Sequence, residues 1–405
     1  MSSQARRPAS ARAATAALFG LLLLALLVAP ATASADTSDD AVAEWTFAVY
    51  VAADNNLESS WDDVSLPALL RVSNDTDVRI VAMVDRLSTV GTEFIEIRDG
   101  VQYDIDVGEE WREDPNTGDG ETFRRFLEEV AALYPSTKLA VTMWDHGYAW
   151  RYVCSDDSSG GDAITMAELR AALGEAGRPI DILAFDACAM GDVAVAYELA
   201  ATGMVDYMVG SEEMVPLDGF AYDLMLAPLA ADASLSPAEV AVDMVDGWGQ
   251  YYDPLTWAKS VCLSAVDVRA IGDAASALQA WSSELAAGLP DDAGVYRKVL
   301  IKTWRATQTR QYDLVGLCER LAGDPALEDT GVPTASTAVA QAVSAAVLAT
   351  HSTRWNEGAT GLTVWWGNIG DWKYYGDPFV DVLFAQPIDD GGVGWYEFLL
   401  AYNAR

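Results

Sequence analysis

Five short runs constrain the fold more than any other feature: Thr46–Val51 (TFAVYV), Asp77–Asp85 (DVRIVAMVD), Lys138–Trp144 (KLAVTMW), Asp181–Phe185 (DILAF) and Val205–Gly210 (VDYMVG). Each is nearly continuous in apolar residues. Strands of that kind are buried on both faces, which calls for a mostly parallel sheet covered by helices on each side. The segments between them supply those helices. Trp61–Val72 has helical spacing of apolar residues, and Glu121–Tyr134 places Phe123, Phe126, Leu127, Val130 and Leu133 on one face. Thr165-Met166-Ala167-Glu168 is a capping box opening a helix that Gly177 and Pro179 close. Another helix is expected from about Met190 to Ala200, and the alternating stretch Phe94–Val107 reads as a hairpin.

The second half is less regular. Ser236-Pro237-Ala238-Glu239 starts a helix, Val261–Val266 reads as a strand and Val268–Leu285 as a helix. Thr337–Ala349 is an alanine-rich helical stretch, Gly361–Trp366 a late strand and Trp395–Tyr402 a terminal helix. No linker of Gly, Ser or Pro separates the halves. The expected organisation is therefore a core over 45–230 and a C-terminal α/β extension of the same unit over 231–405.

The N-terminus is a separate matter. Arg6, Arg7 and Arg12 precede the apolar stretch Ala13–Val28, and Ala33-Ser34-Ala35 offers small residues for cleavage. That is the pattern of a secretory signal over 1–35, followed by a short acidic segment over 36–44. The competing reading is an uncleaved anchor, for which the apolar run is short of the ~20 residues a membrane span needs. The expectation is an exported protein, extracytoplasmic and either free or held at the cell surface, with no stable membrane insertion once the signal is cut.

The formal charge of −36 makes nucleic acid an unsuitable partner, because phosphate is repelled. It would instead draw cationic substrates. Cys154, Cys188, Cys262 and Cys318 are too few for a disulfide scaffold in 405 residues. If Cys188 is a working thiol, one internal bond at most remains, with Cys262–Cys318 favoured. The spacing of cysteines and histidines fits no zinc site, and no glycine loop fits a phosphate.

Only two histidines occur. His146, in Trp144-Asp145-His146-Gly147, lies just past the third strand; His351 lies in or after the alanine-rich helix. Functional groups of open α/β sheets collect at the carboxyl ends of strands, which singles out His146. Cys188, in Phe185-Asp186-Ala187-Cys188-Ala189-Met190, holds the equivalent place on the next strand, just before a helix whose free amides would favour a thiolate. The pair suggests nucleophilic attack by Cys188 with His146 as general base, and an oxyanion held by the backbone N–H groups of Gly147 and Cys188. Gly147 would also let a substrate backbone come close. The plainer reading of Cys188 is a buried apolar side chain.

The strings around His146 and Cys188 resemble the two catalytic signatures of the clostripain family of cysteine peptidases, in the caspase-like clan. Tyr50-Val51-Ala52-Ala53-Asp54-Asn55-Asn56-Leu57, Asp114-Pro115-Asn116-Thr117-Gly118-Asp119 and Gly210-Ser211-Glu212-Glu213 resemble further family segments, and the likeness runs from about Trp45 to Tyr402. It implies a caspase-like α/β fold, a Cys188–His146 dyad and hydrolysis of protein or peptide substrates, commonly after Arg or Lys. Asp186 matches the acidic residue of such a specificity pocket, with Glu213 and Asp218 as further candidates. No cofactor is expected to be required, and calcium is possible. Asp156, Asp157 and Asp162 give the loop after His146 enough hard oxygen for calcium, although their spacing fits no standard calcium loop. Some members cut themselves in this loop, but Cys154–Asp162 contains no Lys or Arg, and Arg151 is the nearest. Two other readings stay open: a catalytically silent binding module on the same fold, and a transpeptidase or ligase using the same dyad. Trp355, Trp365, Trp366, Trp372, Tyr374 and Tyr375 are candidates either for core or for a peptide- or glycan-binding surface.

Overall fold

The computed structural model describes residues 33–34, 42–74, 77–307, 310–368, 370–371, 379–387 and 392–405. Of the expected signal only Ala33 and Ser34 are described; the rest of it and most of the acidic segment after it lie outside these residues, as do Trp372, Tyr374 and Tyr375. In chain order the described strands are β1 (Ala33–Ser34), β2 (Ala43–Ala53), β3 (Val78–Arg86), β4 (Glu93–Arg98), β5 (Val101–Asp104), β6 (Ser136–Trp144), β7 (Val153–Asp156), β8 (Asp162–Ile164), β9 (Ile180–Asp186), β10 (Val205–Gly210), β11 (Cys262–Asp267), β12 (Gln311–Asp313), β13 (Val347–Ser352) and β14 (Thr363–Trp365).

One ten-stranded sheet runs in the order β1-β5-β4-β3-β2-β6-β9-β10-β11-β13. Its centre, β3-β2-β6-β9-β10, is parallel throughout, and the flanking pairs β3–β4, β4–β5, β10–β11 and β11–β13 are antiparallel. The expected mostly parallel α/β sheet is therefore present. The period of two explains why its central strands are apolar throughout. On β2, Trp45, Phe47, Val49 and Val51 enter the core on one face, while Ala48, Tyr50 and Ala52 enter the core on the other. Each large side chain so buried is worth about 1.5–3 kcal/mol. Helices Gly120–Leu133, Met166–Glu175 and Val193–Thr202 cover one face. The helical stretch from Trp61 to Leu69 and the helix Pro237–Tyr252 cover the other.

Strand order matters for function. The chain passes from β2 to β3 on one side and later returns to place β6 on the other. The switch point therefore falls between β2 and β6, and the crevice at their carboxyl ends is where such sheets bind ligands.

Several elements differ from expectation. The alanine-rich helix spans Val332–Ala346 and stops there; Val347–Ser352 instead forms the edge strand β13 on β11. Pairing with a free sheet edge outweighs the local helical spacing. His351 thus sits on a strand, with Nε2 2.9 Å from Asp253 Oδ1. The helix expected over 268–285 divides into Val268–Asp273 and Ala275–Lys302. All four cysteines are free, so the favoured Cys262–Cys318 bond is not formed. Cys262 is buried on β11 with Sγ 3.6 Å from Ser211 Oγ, whereas Cys318 lies in the helix Leu314–Ala322. Trp365 and Trp366 are core residues, Trp366 packing edge-on to Trp395; Trp355 is exposed. No helix among the described residues is long and apolar enough to cross a membrane.

Candidate active site

β2, β6 and β9 end side by side, with Val51 paired to Trp144 and Trp144 paired to Asp186. His146 and Cys188 follow Trp144 and Asp186 by two residues each, so shared register brings them to one level. Both line a cleft of about 180 Å³, together with Leu57, Ser60, Trp144, Asp145, Asp186, Ala187, Met214 to Leu217 and Gly219.

The histidine loop is tied down from β2. Asn55 Nδ2 donates to Asp145 Oδ1 (2.8 Å) and to Ala52 O (3.0 Å), while Asn55 Oδ1 accepts from Leu57 N (2.9 Å). Asp145 is buried, accepts from Ser155 N (2.5 Å), and is pushed up to about 8 by burial. His146 is half-buried, and its Nε2 lies 3.1 Å from Asn56 Oδ1. Burial lowers the imidazole pKa, against an opposing pull from Asp157.

The sequence placed a glycine after the histidine for the sake of substrate approach. The structure gives Gly147 a different task. A Cβ there would lie 2.7 Å from Cys188 O and 2.9 Å from Met190 Sδ, so the glycine lets the two strand-end loops pack together. Among the described residues, nothing accepts a hydrogen bond from the N–H of Gly147 or of Cys188.

Cys188 is half-buried. Its Sγ accepts from Val215 N at 3.3 Å and lies 3.8 Å from Val215 O. Ala189 N donates to Glu213 O (3.0 Å) and Gly191 N to Ser211 O (2.7 Å), which zips this loop to the one after β10. The expected lowering of the thiol pKa does not occur. Burial raises it to about 11, and the carboxylates of Asp186, Glu213 and Asp145 add to the rise against the Val215 amide. The helix that follows starts only at Val193 and is capped by Asp192, whose side chain accepts from Ala194 N. Its N-terminal amides are therefore not offered to sulfur. Burial thus disfavours the charged form of both the thiol and the imidazole.

The acidic candidates separate. Asp186 lines the cleft; it is buried, accepts from Phe220 N (3.0 and 3.1 Å) and Tyr222 Oη (3.0 Å), and is pushed up to about 7 by burial. Glu213 is directed elsewhere, accepting from Thr307 N (2.9 Å) and Thr307 Oγ1 (2.8 Å). Asp218 accepts from Tyr251 Oη at 2.9 Å. Neither lines the cleft around Cys188. Asp156, Asp157 and Asp162 do not converge either: Asp156 is buried and holds Thr117 N, whereas Asp157 and Asp162 are exposed and Asp162 accepts from Asn116. Sequence reasoning did not assign roles to Asn55, Asn56 or Val215. The signal available for the first two was a polar pair directly after the strand that borders the switch point.

Comparisons with known proteins bear on the family and the fold. The model of the family described as "Clostripain family" matches residues 49–386. Clostripain of Hathewaya histolytica is 26% identical over 247 residues, which is 52% of this chain and 46% of that protein, so the match spans about half the length of this curated relative. A secreted C11 cysteine protease from Bacteroides thetaiotaomicron, solved in complex with an irreversible peptide inhibitor, is similar with a TM-score of 0.62 at 18% identity, covering 90% of this chain and 100% of that one. An inactive zymogen C11 protease from Parabacteroides distasonis gives 0.65 at 18% identity, covering 84% and 99%. At such identities these two structures speak for the fold.

Proposed function

The chain belongs to the clostripain family, and on that premise we propose that it is an exported cysteine endopeptidase acting through a thioester on Cys188, with His146 as general base. One observation carries the reading: His146 and Cys188 leave the ends of adjacent strands in matched register and line one cleft.

The mechanism follows from a neutral resting pair. With the thiol held up to about 11 and the imidazole pKa held down, the proton stays on sulfur until a peptide is seated. As sulfur attacks the carbonyl carbon, His146 takes the thiol proton and then gives it to the leaving amine. Water activated by the same imidazole hydrolyses the thioester. The unengaged N–H groups of Gly147 and Cys188 are the donors available to the oxyanion. Asp186 is the acidic group for a substrate cation, which favours cleavage after Arg or Lys; ion pairing in a buried pocket gives that choice its strength. Export is supported by the leader-like sequence of 1–35 and by the secreted character of the Bacteroides thetaiotaomicron relative.

The test is cleavage of a peptide library by the mature protein beside Cys188→Ala, with a thiol-reactive probe as second readout. Cleavage abolished by Cys188→Ala, and probe labelling of Cys188 lost in His146→Ala, support the proposal. Labelling without cleavage marks a binding module, and transfer of an acyl group to an added amine in place of hydrolysis marks a ligase.

A further inference from the structure

Two buried acids that the proposed reaction does not use face each other behind the loop that carries Cys188. Glu212 stands two residues past the end of β10 and Asp313 ends β12; they are 1% and 0% exposed. Asp313 is well satisfied: Oδ1 accepts from Gly316 N (2.6 Å), and Oδ2 accepts from Thr360 N (2.8 Å) and Thr360 Oγ1 (2.6 Å). Glu212 is not. Its Oε1 accepts from Gly361 N (2.5 Å), but its Oε2 is buried with no partner of its own among the described residues. The two carboxyl groups lie within hydrogen-bonding reach of each other. Two bare carboxylates only accept, so one of them must carry a proton. It belongs on Glu212, since Asp313 already accepts three bonds that favour its charge. Burial pushes Glu212 well above the usual carboxylate range, and the charge of Asp313 adds to the rise. Neither acid has an ion-pair partner among the described residues. The other titratable groups beside them are the buried thiols of Cys262 on β11 and Cys318 on the helix Leu314–Ala322, while Glu213 is turned to Thr307.

We infer that Glu212 keeps its proton at neutral pH, donates it to Asp313, and through this bond acts as a positioning residue for Cys188. The role given to Cys188 rests on the peptidase reading. The turn after Cys188 lies between the two segments that the acids join. Gly191 N donates to Ser211 O (2.7 Å), next to Glu212 in the chain. On the other side Gly191 O accepts from Thr363 N (2.9 Å), and Thr363 is the partner of Asp313 across β12 and β14. A Cβ on Gly191 would stand 2.8 Å from Glu212 N, so backbone packs directly on backbone here. Asp192, next along the turn, accepts from Thr363 Oγ1 (3.1 Å) and strengthens the same side. Loss of the shared proton would set two buried like charges against each other. Ser211 and Glu212 would then part from Thr360–Thr363, and the turn that holds Cys188 in place would lose one of its two walls.

The test compares the wild-type protein with Glu212→Gln, whose amide still donates to Asp313 and accepts from Gly361 but cannot ionise. Denaturant unfolding at pH 5, 6.5 and 8 gives the ratio of the two folding constants, from which other buried acids cancel because they titrate alike in both proteins. An unfolded glutamate loses its proton near about pH 4.3, whereas the native one keeps it. Wild type should therefore weaken relative to the variant by about 10-fold per pH unit above 5, up to the pH at which the native proton leaves. A ratio that changes by less than about 10-fold from pH 5 to 8 overturns the shared proton. Positioning is read at pH 6.5 from kcat/KM and from the rate at which iodoacetamide alkylates Cys188. Glu212→Ala is expected to lose at least about 10-fold in both rates, and Glu212→Gln to recover them to within about 3-fold. Glu212→Asp, one methylene too short to reach, replaces Glu212→Ala if that variant does not fold. Rates equal to wild type in the shortened variant, or no recovery in Glu212→Gln, overturn the positioning role. Unfolding uses neither turnover nor Cys188, so the shared proton and the peptidase reading fail independently.

Discussion

Asn56 Oδ1 lies 3.1 Å from His146 Nε2, joining the turn after β2 to the loop after β6 across the switch point of the sheet. An amide oxygen only accepts, so Nε2 carries the proton and Nδ1 is left as the basic nitrogen. In the proposed mechanism Asn56 is therefore a positioning residue, setting tautomer and ring orientation. Asn56→Ala is expected to lower kcat by about 10–100-fold with KM little changed. Asn56→Asp keeps an acceptor and should recover part of the rate, while its charge moves the acid limb of the pH profile upward. Steady-state kinetics on a fluorogenic peptide from pH 5 to 8 measure both effects, and an unchanged kcat in Asn56→Ala removes the role.

Gly147 separates packing from chemistry. A methyl group there would meet Cys188 O at 2.7 Å and Ala187 Cβ at 3.0 Å, forcing the β6 and β9 loops apart. Gly147→Ala is expected to cost about 1–3 kcal/mol by overpacking. It should cost far more in rate, because displacement of the dyad by a fraction of an ångström degrades the attack geometry. Denaturant unfolding and kcat/KM measured on one preparation test this. A variant that loses stability and keeps its rate would show that the contact is structural alone.

Where the sequence was legible, the reason is a local pattern that one tertiary role also demands. The five apolar runs became the parallel centre of the sheet because burial on both faces leaves no room for polar alternation. His146 and Cys188 were singled out because such sheets bind ligands at strand ends, and shared register brings the two to one cleft. The thiol's pKa was not legible: it depends on Asp192 closing the helix and on Val215 reaching sulfur from another loop, both set by tertiary packing. Glu213 was misplaced for a like reason. Its position in the chain adjoins the cleft wall, but its carboxylate is claimed by Thr307, 94 residues away. His351 and β13 were missed because an unpaired β11 edge recruits any neighbouring segment able to extend, whatever its local spacing.

With Asp186 as the proposed pocket acid, the cleavage preference is expected to depend on pH. Burial holds its carboxyl at about 7, so much of it is neutral in mildly acidic solution. A P1 Arg requires the ionised form. For Arg substrates, kcat/KM should therefore rise as pH increases through about 7, beyond the rise due to His146, whose pKa burial lowers. A substrate with a neutral P1 residue should show only the histidine limb. Asp186→Asn should remove the extra rise and cut the Arg-to-neutral preference by at least about 10-fold, since one buried ion pair is lost. Paired substrates assayed across pH 5 to 9 decide it, and a preference unaltered in Asp186→Asn sinks the pocket assignment.

Buried acids also set the pH dependence of the fold. Burial raises Asp145 to about 8 and Asp186 and Asp192 to about 7, from an ordinary value of 3.8. Between the unfolded and folded values the native state binds more protons than the unfolded chain, so unfolding releases protons and stability falls as pH rises. The contribution of these groups is complete below about pH 4 and is lost as pH climbs through 7 to 8. Chelated protein should accordingly have a higher Tm at pH 5 than at pH 8, by several degrees. Asp192→Asn isolates one term. Asp192 accepts from Ala194 N (2.9 Å) and Thr363 Oγ1 (3.1 Å), and an amide can serve both by accepting from the first and donating to the second. That variant should lose stability less steeply between pH 6 and 8. A wild-type Tm that rises from pH 5 to 8 would mean that these carboxyls are ionised in the native state and that charge pairing, rather than burial, governs them.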